Sequence, residues 1–107
     1  MVNVVVVASV RRDAEAEWVK RVIEKHSGEE VWLIVDGKSA GVLAKFNVLS
    51  RVRGDRVLVF TGKRAEEYAL KAYKVTTPDI AYVCDKYGAL RVIVDFLRVT
   101  PIKLVEC

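Results

Sequence analysis

Hydrophobic and polar positions change period several times along the chain, and each change predicts an element. Residues 2–9 are a Val-rich run with almost no polar interruption, as in a strand buried on both faces of a helix-covered sheet. Residues 13–25 switch to a helical period: Trp18, Val19, Val22 and Ile23 share one face, while Glu15, Lys20, Arg21 and Glu24 face water. Asp13, Glu15 and Glu17 favour the positive end of the helix dipole, and Gly28 supplies a left-handed cap at its other end. Residues 30–36 read as a second buried strand, bounded by Gly37. Residues 39–52 read as a helix with Val42, Leu43, Phe46 and Leu49 on one face, closed near Gly54 and Asp55. Residues 56–61 form a third strand, and residues 63–73 a third helix with Ala65, Tyr68, Ala69, Ala72 and Tyr73 as its apolar stripe. Three strand–helix alternations predict a mostly parallel sheet with right-handed crossovers.

The last third breaks the alternation. Residues 79–84 form a short strand, Asp85-Lys86-Tyr87-Gly88 has turn composition, and residues 89–96 are rich in β-branched side chains, which predicts a β-hairpin. The competing reading makes residues 90–98 a helix, because Arg91, Asp95 and Arg98 fall at helical spacing, with Cys107 closing a fifth parallel strand. Val92-Ile93-Val94 and the glycine turn favour the hairpin. Thr100-Pro101 then caps a final helical turn over residues 102–106.

Length and composition bound these readings. A chain of 107 residues, 52% hydrophobic and 30% charged, makes one soluble globular domain. Its longest apolar run, from Val4 to Ala8, is too short to span a membrane and lacks the flanks of a signal peptide, which points to the cytoplasm. There is no glutamine, and Asn3 and Asn47 are the only asparagines, the usage expected where thermolabile side chains are avoided, as in a thermophile. Two cysteines far apart and one histidine exclude the common metal sites. A net charge of +4 permits an acidic partner without requiring one.

Candidate chemistry is sparse. Gly37-Lys38-Ser39 follows a strand and opens a helix like a phosphate-binding loop, but Trp32 stands where that loop needs its first glycine. No dinucleotide fingerprint follows the first strand, where Ser9-Val10-Arg11-Arg12 contains no glycine. No cofactor is therefore implied. His26 ends the first helix as a capping or packing residue, and Asp36, Asp85 and Asp95 occupy strand ends and turns where aspartate is ordinary. Tyr68 and Tyr73 fall on an apolar stripe, so packing explains them better than base stacking.

The segments VVVVAS, EEVWLIVDGKS, DRVLVFTG, AYKVTTPDIAYVCDKYG and ALRVIVDF, in this order over almost the whole chain, resemble the thioredoxin-like fold in its redoxin branch of peroxiredoxins and thiol oxidoreductases. The resemblance implies a three-layer α/β sandwich whose mostly parallel sheet ends in a β-hairpin, in strand order third, second, first, fourth, fifth, the fourth antiparallel to the first. The alternative is a five-stranded doubly wound parallel sheet of Rossmann or flavodoxin type. The resemblance also implies a cis Thr77–Pro78 bond beside the redox centre. The redox motif, however, should open the first helix, and there the chain reads Arg11-Arg12-Asp13-Ala14 without cysteine. Disulfide exchange at that place is excluded, because it needs a thiolate at the helix start. What the resemblance leaves is a redox-inactive binding or interaction module more than an enzyme, with Ser9, Arg11, Arg12, Thr77 and Pro78 as the surface for a protein or a small anionic ligand.

Two alternatives remain. Cys84 reads as a small buried hydrophobe, but if the segment carrying Cys107 folds back along the sheet the two sulfurs pair, as a structural disulfide or as an unconventional thiol redox centre. The basic surface allows weak nucleic-acid binding.

Overall fold

The computed structural model describes residues 2–60 and 78–107. β1 (Asn3–Ser9) leads through α1 (Asp13–Lys25) to β2 (Glu30–Asp36) and α2 (Gly37–Lys45). Two 3₁₀ turns, Leu49–Arg51 and Gly54–Arg56, precede β3 (Val57–Phe60). After the undescribed segment come β4 (Ile80–Asp85), a further helix that we number α3 (Arg91–Arg98) and β5 (Lys103–Glu106). The third helix expected over residues 63–73 lies outside the described residues, as does the Thr77–Pro78 bond.

The five strands form one sheet in the order β3-β2-β1-β4-β5, and every pairing in it is parallel. β1 carries a core layer on each face. Val4, Val6 and Ala8 pack with Val19 and Ile23 of α1 and Leu43 of α2, whereas Val5 and Val7 pack with Ile93, Val94 and Leu97 of α3. Period-two alternation puts the odd and even residues of β1 on opposite faces, and both faces are covered. Among the described residues no helix is long and apolar enough to cross a membrane.

Four expectations need correction. The hairpin is absent: β4 runs parallel to β1, and α3 occupies the place of the predicted partner strand. Leu90, Ile93, Val94 and Leu97 are all buried. Burying an apolar side chain stabilises by about 1.5–3 kcal/mol, while β-branched residues cost a helix only about half a kcal/mol each, so the helical period wins. The turn expected at Asp85–Gly88 does form, with Gly88 at φ +73°, but it feeds a helix. Residues 103–106 are likewise a strand and not a helical turn, because the open edge of β4 supplies their partners, Ile80 opposite Lys103 through Val83 opposite Glu106. Finally, α2 stops at Lys45, well short of residue 52. Asn47 takes the left-handed conformation at φ +58°, its amide bonds to the Ala44 carbonyl, and the Val48 amide reaches back to that of Leu43, a Schellman ending. Glu15, expected to face water, is 6% exposed.

Cys84 and Cys107 are joined by a disulfide, with Cα atoms 5.1 Å apart and a sequence separation of 23. It ties the strand after α3 to β4. Closing a loop of that length removes chain entropy worth roughly 3 kcal/mol. A Cys84→Ala/Cys107→Ala variant is therefore expected to unfold on the order of 10–20 °C lower, measured by thermal denaturation beside the wild type with and without a reductant.

Candidate functional site at the strand-order reversal

From β1 the chain proceeds to one side, through α1 and β2 to β3, and the second half builds outward on the other side through β4 and β5. α1 and α2 cover one face of the sheet and α3 the other. The connections leaving the carboxyl ends of β1 and β4 therefore diverge, and in open parallel sheets a ligand crevice lies at that point. Three segments meet along this edge: Ser9 to Arg12 after β1, Asp36 to Ser39 after β2, and Asp85 to Gly88 after β4.

The half of the edge between β1 and β2 is closed by its own charges. The Arg11 guanidinium holds Asp36 through two bonds, Nη2 to Oδ2 at 2.8 Å and Nη1 to Oδ1 at 3.4 Å. Its Nη1 also donates to the Val10 carbonyl and to the Ser39 hydroxyl, both at 2.9 Å. The buried Ser39 hydroxyl accepts from the Val10 amide at 2.7 Å and donates to Asp36. Ser39, which looked like the end of a phosphate-loop pattern, is thus a bridge between β1 and α2. Tyr87, from the β4 side, stacks its ring 5.3 Å from the Arg11 guanidinium carbon. Burial opposes the charge on Asp36, but the Ser39 hydroxyl and Arg11 outweigh it and hold its carboxyl below the usual range.

Glu15 completes this closed half. Its Oε1 accepts from the amides of Arg11 and Arg12 at 3.0 Å each and from the Tyr87 hydroxyl at 2.9 Å. Burial raises its pKa, but those two amides, then Tyr87 and Lys86, bring it below the usual value. Anions bind at helix starts through free backbone amides, and two amides of the β1–α1 turn already hold the protein's own carboxylate. A phosphate would have to displace it.

The half between β1 and β4 is different. Ser9 and Asp85 are register neighbours at the ends of the two strands. The Ser9 hydroxyl is fully buried and meets no partner at hydrogen-bonding geometry among the described residues, yet it lies near enough to Asp85 to favour the charged carboxylate. Asp85 accepts from the Leu90 amide at 3.2 Å and so closes the turn into α3. Burial, reinforced by the negative charge of Asp36, nevertheless pushes its pKa up. On the side of β5 opens a cavity of ≈ 390 Å³ lined by the acids Asp85, Asp95 and Glu106 and the bases Lys86, Arg91 and Arg98, among others. Arg98 is bound to Glu106 at 2.7 Å. Arg91 has only an exposed contact to Asp95 at 3.8 Å, and neither Asp85 nor Lys86 has an ion-pair partner among the described residues.

Of the residues expected to form one surface, the structure brings Ser9, Arg11 and Arg12 together and separates them from Pro78. Because β4 runs parallel to β1, Pro78 precedes its amino end, where the Asp79 amide bonds to the Asn3 carbonyl at 2.9 Å. The length of the strand stands between it and Arg11. An antiparallel β4 would have put Pro78 beside Arg11. Thr77 lies outside the described residues. Arg12 is exposed, whereas Arg11 is committed to Asp36 and Ser39 instead of projecting into solvent. His26 packs against Tyr82, its Nε2 2.7 Å from the hydroxyl and its Nδ1 2.8 Å from Glu29. Among the described residues no three potential metal ligands gather. No known protein family and no curated protein matches the sequence.

Two pH responses of opposite sign follow. Asp36 and Glu15 have lowered pKa values, so the stability they contribute is complete above the ordinary carboxylate range and is lost as pH falls below about 4. Arg11→Met should destabilise by about 1–3 kcal/mol at neutral pH, a difference that narrows as these carboxylates protonate. Asp85 has a raised pKa, so its charged form opposes folding above that pKa and the penalty disappears at lower pH. Asp85→Asn should therefore leave stability unchanged or raise it at neutral pH, with the gain fading on acidification. Denaturant unfolding from neutral pH to about pH 3 checks both.

Proposed function

We propose that the protein is a binding module on a doubly wound parallel scaffold, which seats a small polar ligand at the carboxyl end of β4, on the side of β5. The parallel β4 and the β4–α3–β5 unit support this scaffold over a thioredoxin-like one. One observation carries the functional reading: the charges between β1 and β2 are satisfied within the protein, while Asp85 and Lys86 line an open cavity with no ion-pair partner among the described residues, and Arg91 beside them has only an exposed contact to Asp95. Such unspent charge beside a buried, unpaired hydroxyl is costly in a folded protein and fits a place completed by a ligand.

The arrangement favours binding over catalysis. The Ser39 hydroxyl is enclosed by Val10, Asp36 and Arg11 and cannot act as a nucleophile. Both cysteines are consumed in the disulfide, which lies at the β4–β5 edge and not at the start of a helix where thiol chemistry is activated.

The test is an amide-resolved NMR titration of the whole protein with inorganic phosphate, acetate, citrate, AMP and amino acids. Shifts are expected to gather at residues 85–91 and 106–107, and to weaken in Lys86→Gln and Arg91→Gln. The proposal fails if no probe perturbs this edge, or if the shifts gather instead in the groove of ≈ 480 Å³ that Arg51, Arg53 and Arg56 line at the other end of the sheet.

A further inference from the structure

The cavity beside β4 presents both signs of charge in a fixed order. Asp85 ends β4, Lys86 follows it and Arg91 begins α3, while farther along the wall Asp95 and Glu106 pair with Arg98. The Asp85 carboxylate already accepts the Leu90 amide at the start of α3, so that helix end is taken and the cavity offers a ligand side-chain charges only. Behind Asp85 stands the Ser9 hydroxyl, fully buried and without a partner at hydrogen-bonding geometry. A ligand with a negative group alone would gain Lys86 and Arg91 but would face the carboxylates of Asp85, Asp95 and Glu106. A ligand with a positive group alone would gain Asp85 and face the two cations. Only a molecule carrying both signs leaves no repulsion.

We infer that this site takes a small zwitterion, with an ammonium group on the Asp85 carboxylate and a carboxylate between Lys86 and Arg91. The inference rests on reading this edge as a binding site and adds the class of ligand to it. A volume of ≈ 390 Å³ lies at the small end of ligand sites, which suits an amino acid better than a nucleotide. The ammonium replaces by a charge-assisted hydrogen bond what burial withholds from Asp85. Ser9 steadies the carboxylate from behind, as a positioning residue and not as a direct contact.

The experiment compares whole and fragment ligands on the wild-type protein, so that it does not depend on a variant folding. Amide-resolved titrations at neutral pH and constant ionic strength use β-alanine and L-alanine as zwitterions, with acetate and methylammonium as their halves. A zwitterion is expected to bind at least about tenfold tighter than either half, with shifts at residues 85–91. In Asp85→Asn that advantage should vanish while the weak acetate response persists, and in Lys86→Gln the acetate response should be the one to weaken. If acetate binds as tightly as the zwitterions, or Asp85→Asn binds them as well as the wild type does, the zwitterion inference is overturned and the binding module stands. If none of the four probes perturbs this edge the inference is overturned too, and the anionic probes of the broader titration then decide the binding module separately.

Discussion

β1 pairs in parallel with β2 on one side and with β4 on the other, and every residue from Val4 to Val10 is buried. A strand with neither a free edge nor a wet face leaves the chain few ways to continue. Each parallel neighbour needs a crossover that packs on one face, so α1 must cover one side of β1 and α3 the other. The sheet then grows outward from β1 in both directions, and the connections from β1 and β4 must part company at their carboxyl ends. The site's location is a consequence of that geometry before any particular side chain is considered. Side-chain chemistry decides only which part of the edge stays open.

That decision turns on two carboxylates. Glu15 and Asp85 each accept backbone amides at the turn after a central strand, so each fills a place where a bound anion would otherwise sit. Their surroundings differ. Glu15 is met by three donors and lies near Lys86, which stabilises its charge despite burial. Asp85 has the Leu90 and Ala89 amides, with the Ser9 hydroxyl nearby but at no hydrogen-bonding geometry, and the repulsion of Asp36 adds to the cost of burial. One carboxylate therefore locks its turn, and the other stays electrostatically unsatisfied. Sites that are expensive in the unbound protein are the ones where function competes with stability, and on this edge the expense is concentrated at Asp85.

The sequence shows β1, α1 and β2 almost to the residue, because a continuous apolar run and a clean helical period leave one interpretation each. It misplaces the end of α2, although the signal was present: Asn47 is one of few residue types that tolerate the left-handed conformation. It misreads α3 because Val92, Ile93 and Val94 satisfy strand propensity locally, while the stripe of Leu90, Ile93, Val94 and Leu97 has value only once β4 and β5 offer a surface to bury it. The site was legible to a similar depth. Ser9, Arg11 and Arg12 follow from their place after the first strand. Asp36, Ser39, Glu15 and Tyr87 do not, since their roles come from contacts between segments 25 to 72 residues apart. The pairing of Pro78 with Arg11 failed with the hairpin, for one strand's direction decides which end of the sheet each residue reaches.

The sulfur chemistry of the chain takes its meaning from the same edge. β5 is a four-residue strand at the border of the sheet, with Lys103 and Glu106 exposed, and so short a ladder is weakly held by backbone bonds alone. The disulfide fixes Cys107 to the fully buried Cys84 of β4, and Glu106, immediately before it, is held by Arg98 at 2.7 Å. Glu106, Cys107 and Arg98 all line the cavity beside Asp85. The covalent tie therefore sets the rim of that cavity as well as the edge of the sheet. A rim fixed before a ligand arrives reduces the ordering entropy that binding must overcome. The disulfide thus serves the proposed site by rigidity and takes no chemical part in it, which reconciles a bonded pair of cysteines with a first helix that has none at its start.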